Sequence, residues 1–233
     1  MRLYHFTKLE TALKFILPQR QLKIGRFEPL NDPFELWGVQ GGDADSKERL
    51  IRVKDHWWSV MGVMCFGRHW MSPVMWAHYG DNHTGVALGF DLPDDKPREM
   101  QYRREPKPWL ADHSAPALGA NEELFKDMVT TKYERWRYEE EWRLFVSLDV
   151  SEGGKDVFYP FNPDFRLKEI ILGAKCPASV DAFRPALRGY DEVVSLQRAK
   201  PDFAKYAMVR DPGLSNAVIG HDVLFPQGPN LKR

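Results

Sequence analysis

The chain has 233 residues, 33 Lys plus Arg against 33 Asp plus Glu, and a hydrophobic content of 43%. Formal neutrality argues against a nucleic-acid binder that relies on a global basic field, leaving only a local patch for that purpose. The apolar content is enough for a sizeable core, and the two cysteines argue against a disulfide framework, so the expected location is the cytoplasm. Met1 to Phe6 lacks the apolar core of a signal peptide, and no apolar run approaches about 18 residues, so no membrane partner is expected.

Taken in chain order, Leu3 to Phe6 predicts a short strand. Thr7 as N-cap with Glu10 at N3 reads as a capping box, opening a helix whose apolar stripe is Leu9, Ala12, Leu13 and Ile16 and which ends before Pro18. Leu22 and Ile24 alternate in a second strand, broken by Pro29, Asn31, Asp32 and Pro33. A helix is predicted from Asp45 to Trp58, then a buried strand from Val60 to Phe66 in which Cys65 acts as a small core hydrophobe. Ser72 and Pro73 form an N-cap and N1 pair for a short helix through Tyr79 that stops at Gly80. A turn over 81–85 leads into the strand Val86 to Phe90.

The stretch 94–120, rich in Pro and charge, is expected to be a long loop or insertion. Asn121 would cap a helix carrying Leu124, Phe125, Met128 and Tyr133. Strands are expected at Glu141 to Val146, Val157 to Phe161, Leu167 to Leu172 and Val193 to Leu196, with a helix starting near Pro177. The expected organisation is one domain over 1–211 and a weakly structured tail over 212–233. Short strands and few helices in no regular βαβ order give an α+β class. No glycine-rich phosphate loop is present.

Three polar clusters stand out. His5 and Thr7 end the first strand, the segment from Trp76 to Gly85 contains His78, Tyr79 and His83, and Glu139, Glu141 and Arg143 cluster at a strand start. In that last strand Trp142, Leu144 and Val146 would face a core, with Glu141, Arg143 and Phe145 on the opposite face. Each cluster also has a plain structural reading: a cap for Thr7, a core tyrosine for Tyr79, a solvated charge run for 139–141. Spacing of the histidines fits no metal-ligand pattern and no nucleophile elbow occurs, so neither metal nor serine or cysteine catalysis is expected.

The series Leu3-Tyr4-His5-Phe6-Thr7, Asn31-Asp32-Pro33-Phe34-Glu35, Met75-Trp76-Ala77-His78-Tyr79 with His83 and Gly85, Tyr138-Glu139-x-Glu141-Trp142-Arg143, and Lys168 to Gly173 resembles a bacterial family, domain of unknown function 2971. That family is in turn similar to ADP-ribosyltransferases of the His-Tyr-Glu type. The resemblance implies a split β-sheet core with peripheral helices and NAD as substrate, without a metal. His5, Tyr79 and Glu141 would be the catalytic trio. Glu141 would bind the ribose 2′-hydroxyl and stabilise an oxocarbenium-like state, His5 would hold the adenosine ribose, and Tyr79 would stack on nicotinamide. Phe6, which stands where the polymerases of that superfamily have glycine, would offer backbone groups to the carboxamide. Thr7, Asn31, His83 and Arg143 complete the implied NAD-binding set, and Glu139 is the alternative catalytic carboxylate. The implied activity is transfer of ADP-ribose to a protein, nucleic-acid or small-molecule acceptor, in a toxin or phage-defence role with an antitoxin or regulatory protein as partner. A non-catalytic nucleotide- or partner-binding module and an NAD glycohydrolase are the alternatives.

Overall fold

The computed structural model describes residues 1–27, 30–109, 122–148, 156–213 and 217–219. The chain divides into two compact units, each assembled from separate stretches: unit 1 takes Met1–Leu22, Phe66–Asp94 and Tyr159–Arg233, and unit 2 takes Lys23–Cys65 and Asp95–Phe158.

Unit 1 is built on a mixed sheet. Its central strand, Val86–Asp91, pairs antiparallel on one side with Arg2–Thr7, from Arg2 opposite Asp91 to Thr7 opposite Val86. On the other side it pairs antiparallel with Arg166–Leu172. The latter runs parallel to Val194–Asp202, which also takes Ala207–Arg210 and Ala217–Ile219 as antiparallel partners. Val86, Ala87, Leu88 and Phe90 are completely buried, which explains why the central strand reads as a continuous apolar run with no polar alternation. Gly89 interrupts it because a Cβ there would lie 3.0 Å from both the Tyr4 ring and the Glu169 Cβ. Below this strand Phe90 stacks on Phe165 at 4.4 Å, with Phe161 edge-on at 5.1 Å.

Two expectations for the first helix fail. Thr7 is not a cap: it is the last residue of its strand, and the helix begins at Leu9 after Lys8 with no side-chain cap. Glu10 instead bonds Lys14 at 2.7 Å on the surface. Nor does the helix stop before Pro18. It widens into a π-turn over Ala12–Ile16 and continues through Leu17–Gln19, ending at Arg20 with φ 52°. Pro18 is tolerated because it falls in the first turn of the segment that follows the π-turn, where its missing N–H is not needed.

Unit 2 carries the long helix Ala44–Val60, capped by Asp43, whose carboxylate accepts from the Ser46 N–H at 2.7 Å. Its core gathers Phe27, Leu36, Val39, Leu50, Val53, Val63, Leu124, Met128 and Val129. The strand Glu141–Ser147 lies between the strand that begins at Met61 and the two-residue strand Arg98–Glu99. Two short parallel ribbons join distant stretches: Val39–Gly41 with Lys107–Trp109, and Gln101–Arg103 with Thr131–Tyr133. The expected loop over 94–120 therefore holds three short strands before residue 110, and 110–121 lies outside the described residues. Two of these strands pair through backbone bonds to Val39–Gly41 and Thr131–Tyr133, which tolerates Pro and charge and leaves no alternating pattern. Tyr133 is not on the preceding helix, which ends at Thr130; the β-branched pair Thr130 and Thr131 gives way to a strand. In place of the helix expected near Pro177, the described residues form a 3₁₀ turn at Val180–Phe183. Of the expected tail, Ala217–Ile219 is a paired strand and 220–233 lies outside the described residues. The class is α+β, as expected.

Candidate functional site

The strongest concentration of buried charge lies in unit 2. Glu35, Lys132, Glu139, Glu141 and Arg143 are each at most 6% exposed. Arg143 donates from Nε to Glu141 Oε1 at 2.6 Å and from Nη2 to Glu141 Oε2 at 3.1 Å. Its Nη1 and Nη2 also donate to the two oxygens of Glu35, each at 2.7 Å. Lys132 Nζ donates to Glu139 Oε2 at 2.5 Å and to Glu141 Oε2 at 3.0 Å. Three carboxyl groups thus surround two cations, and the partner of each is another member of the cluster.

Local backbone geometry sets these positions. Asp32 accepts from the Phe34 N–H at 2.9 Å, closing an Asx turn that delivers Glu35 inwards. Glu139 ends the 3₁₀ turn Glu134–Glu139, and Glu140, with φ 42°, reverses the chain before Glu141 opens its strand. That left-handed residue lets Glu139 and Glu141 share the same lysine. The Glu141 N–H donates to the Tyr102 hydroxyl oxygen at 2.8 Å, fixing the strand start. Lys132 also lies 4.9 Å from the centre of the Trp136 ring.

The electrostatics follow. Burial pushes the Glu141 carboxyl up, but Arg143 and Lys132 beside it and the bond from Arg143 outweigh burial and hold it at about 2. Burial opposes the charge of Lys132, yet Glu141 and Glu139 raise it above the ordinary lysine range. Arg143 behaves likewise through Glu141 and Glu35. Burial, and then the Glu141 charge, push the Cys65 thiol well up; that thiol also bonds Glu141. Cys65 is therefore not a plain core hydrophobe. The expectation that the Glu141–Arg143 face of the strand opposes the core is also corrected: Glu141 is 5% and Arg143 1% exposed, while Trp142 on the other face is only half-buried.

Of the other candidate site residues, His5, Phe6, Thr7, Tyr79 and His83 lie in unit 1, and Asn31 is exposed at the head of the turn in unit 2. His5, opposite Leu88, is half-buried with its ring edge-on to Phe66 at 6.0 Å. Phe6 packs edge-on against Trp76 at 5.1 Å, and His83 stacks on the same indole at 6.4 Å. Burial, aided by Lys175, lowers the His83 pKa. Tyr79 closes the helix Pro73–His78, whose N-cap Ser72 accepts from the Met75 N–H as expected. Asp81, Asn82 and His83 are all left-handed, with φ of 51°, 53° and 70°. Three such residues in a row are costly for non-glycine side chains. The turn is held by the Thr84 hydroxyl on the Asp81 carboxylate at 2.9 Å and by Lys175 N–H on the His83 carbonyl at 2.9 Å. Gly173 is required beside it, since a Cβ would come within 2.2 Å of the His83 carbonyl oxygen.

Of the sequence-derived set, Glu139, Glu141 and Arg143 are brought into one cluster, and Phe6 and His83 share Trp76. Sequence reasoning missed Lys132, which nothing in Thr130-Thr131-Lys132-Tyr133 distinguishes from a surface lysine. It also treated Glu35 as part of a turn, although the motif that contains it was noticed.

Comparison with curated proteins and with solved structures finds no match. The model of the family described as "Protein of unknown function (DUF2971)" matches residues 75–144, from the Met75 helix through the Glu141–Arg143 pair.

Proposed function

We propose that the protein is an NAD-consuming ADP-ribosyltransferase that breaks the nicotinamide–ribose bond and passes ADP-ribose to an acceptor. The reading rests on the motif order His5, Tyr79, Glu141, and one observation carries it: Glu141 sits at the start of a rigid strand between Arg143 and Lys132, whose bonds at 2.6 and 3.0 Å hold it as a carboxylate. An oxocarbenium-like state needs a fixed negative charge that does not protonate during turnover. Arg143 has the positioning role in this reading, because its Nε, Nη1 and Nη2 are all engaged by carboxylates. His5 would hold the adenosine ribose and Tyr79 the nicotinamide ring. The acceptor is a protein, a nucleic acid or a small molecule.

A second reading is favoured by a specific observation. Both oxygens of Glu141 already accept bonds from Arg143 or Lys132, and the residue is 5% exposed. A module that binds NAD or another nucleotide without cleaving it needs nothing more of Glu141 than this structural role.

Nicotinamide release from NAD by the purified protein separates the two, with Glu141→Gln and His5→Ala measured beside the wild type. Release that falls at least a hundredfold in Glu141→Gln, as removal of a transition-state charge contact does, supports catalysis. Label from adenine-labelled NAD that enters lysate macromolecules identifies transfer, whereas free ADP-ribose alone identifies a glycohydrolase. NAD that raises the melting temperature of every variant without any release identifies the binding module.

A further inference from the structure

Unit 2 contains a cavity of about 310 Å³ that the reading above does not use. It lies where the two parallel ribbons meet the turn before Val39, and the connection Arg104 to Pro106 runs along it. Three aromatic side chains, Phe34, Trp37 and Tyr133, line it together with Arg103 and Arg104. Lys132 also lines it.

The placement of Phe34 is the informative part. Phe34 is 65% exposed, an unfavourable position for a large apolar side chain, and Tyr133 is 44% exposed. Neither exposure comes from a loose segment. The Asx turn ties the Phe34 N–H to Asp32, and the next residue, Glu35, is bound bidentately to the buried Arg143. The backbone is anchored on both sides of an aromatic ring that it presents to solvent at the cavity. Trp37 is held by Lys54, whose Nζ lies 4.3 Å from the ring centre.

Charge gives the second half of the specificity. Arg103, Arg104 and Lys132 face a single lining carboxylate, Glu105. Lys132 is already neutralised by Glu139 and Glu141, and Arg104 forks onto Glu134 at 3.0 and 3.2 Å. Arg103 has no carboxylate partner among the described residues. An exposed arginine beside fixed aromatic faces is the combination that takes a flat ring carrying an anionic group. The volume is at the lower end for small-ligand sites, which fits one heterocycle with a short polar appendage.

We infer that this cavity is a separate ligand site for a nucleoside monophosphate, with the base against Phe34 and Tyr133 and the phosphate on Arg103 and Arg104. It stands independently of the proposed NAD chemistry, which assigns none of these side chains. The test uses the full chain with 5′-AMP and adenosine as probes in titration calorimetry. Wild type is compared with Phe34→Ala, Arg103→Ala with Arg104→Ala, and His5→Ala. Phe34, Arg103 and Arg104 are exposed, so truncation leaves the fold intact, and the unliganded melting temperatures verify this. The expected result is that 5′-AMP binds and adenosine binds about tenfold or more weakly. Phe34→Ala and the double arginine variant should each lose about tenfold or more, the size of one stacking or charge contact. The inference is overturned if wild type does not bind 5′-AMP. It is equally overturned if binding survives in Phe34→Ala and in the arginine variant but disappears in His5→Ala, which would assign the nucleotide to the NAD reading instead.

Discussion

Arg143 and Glu35 stand 108 residues apart in the chain yet meet through two parallel bonds of 2.7 Å, with 1% and 5% of their side chains exposed. This pair joins the Asn31–Glu35 motif to the Glu139–Arg143 motif, so two sequence signals that look unrelated are two halves of one buried network. Removing one member strands the charge of the others in a region with little water.

Arg143→Met is accordingly expected to destabilise unit 2 by about 3–5 kcal/mol, because Glu35 and Glu141 would both lose their main cation. Arg143→Lys should recover only part of the loss, since an ammonium cannot fork onto both oxygens of Glu35. Urea unfolding followed by tryptophan fluorescence measures both; equal midpoints for wild type and Arg143→Met would show the network to be dispensable.

The depressed pKa of Glu141 sets a pH dependence. Its folded value of about 2 lies below its ordinary 4.5, so its contribution is complete above about 4.5 and disappears as pH falls towards 2. That shift corresponds to roughly 3 kcal/mol of stability lost across the window. Glu141→Gln should flatten this part of the stability–pH curve relative to wild type. Parallel curves for the two proteins between pH 5 and 2 would assign the acid sensitivity to other carboxylates.

Cys65 should report on the same cluster. Burial and the charge of Glu141 raise its thiol pKa, which keeps it protonated at pH 8. Modification by a thiol reagent in the native protein is expected to be at least about tenfold slower than in the unfolded chain. Glu141→Gln, in a Cys176→Ser background, should accelerate it by removing the neighbouring negative charge. An unchanged rate would mean that access, not charge, controls the thiol.

Gly173→Ala tests the strained turn of unit 1. A Cβ would lie 2.2 Å from the His83 carbonyl oxygen, and backbone cannot move aside as cheaply as a side-chain tip. The expected cost is about 1–3 kcal/mol, as for other forced overpacking, read as a lowered melting temperature. The His83 ring signal, which sits against Trp76, should shift in the same variant.

Much of the scaffold was legible. The helix predicted from Asp45 to Trp58 is observed at Ala44–Val60, and Ser72 caps its helix because a serine before proline has one obvious geometry. The central strands showed themselves as apolar runs. What escaped was whatever depends on a partner distant in sequence. Thr7 has the composition of a cap, but pairing with Val86 holds it in the strand. Glu141 and Arg143 look like surface charge on an alternating strand, and only Glu35 and Lys132, supplied from elsewhere, make their burial affordable. Lys107–Trp109 forms a strand through backbone bonds to Val39–Gly41, which no side-chain pattern announces.

The turn that carries Glu35 has a dynamic consequence. Opening it would take Glu35 from Arg143 and leave Glu141 as the one carboxylate on a buried guanidinium, so a small local fluctuation there is as unfavourable as a much larger one. The backbone amides of 34–37, of 131–133 and of the strand Glu141–Ser147 should therefore exchange with deuterium at one common rate, as a single cooperative block, despite their separation along the chain. A surface turn that looks like a hinge in sequence would then be among the last parts of unit 2 to open.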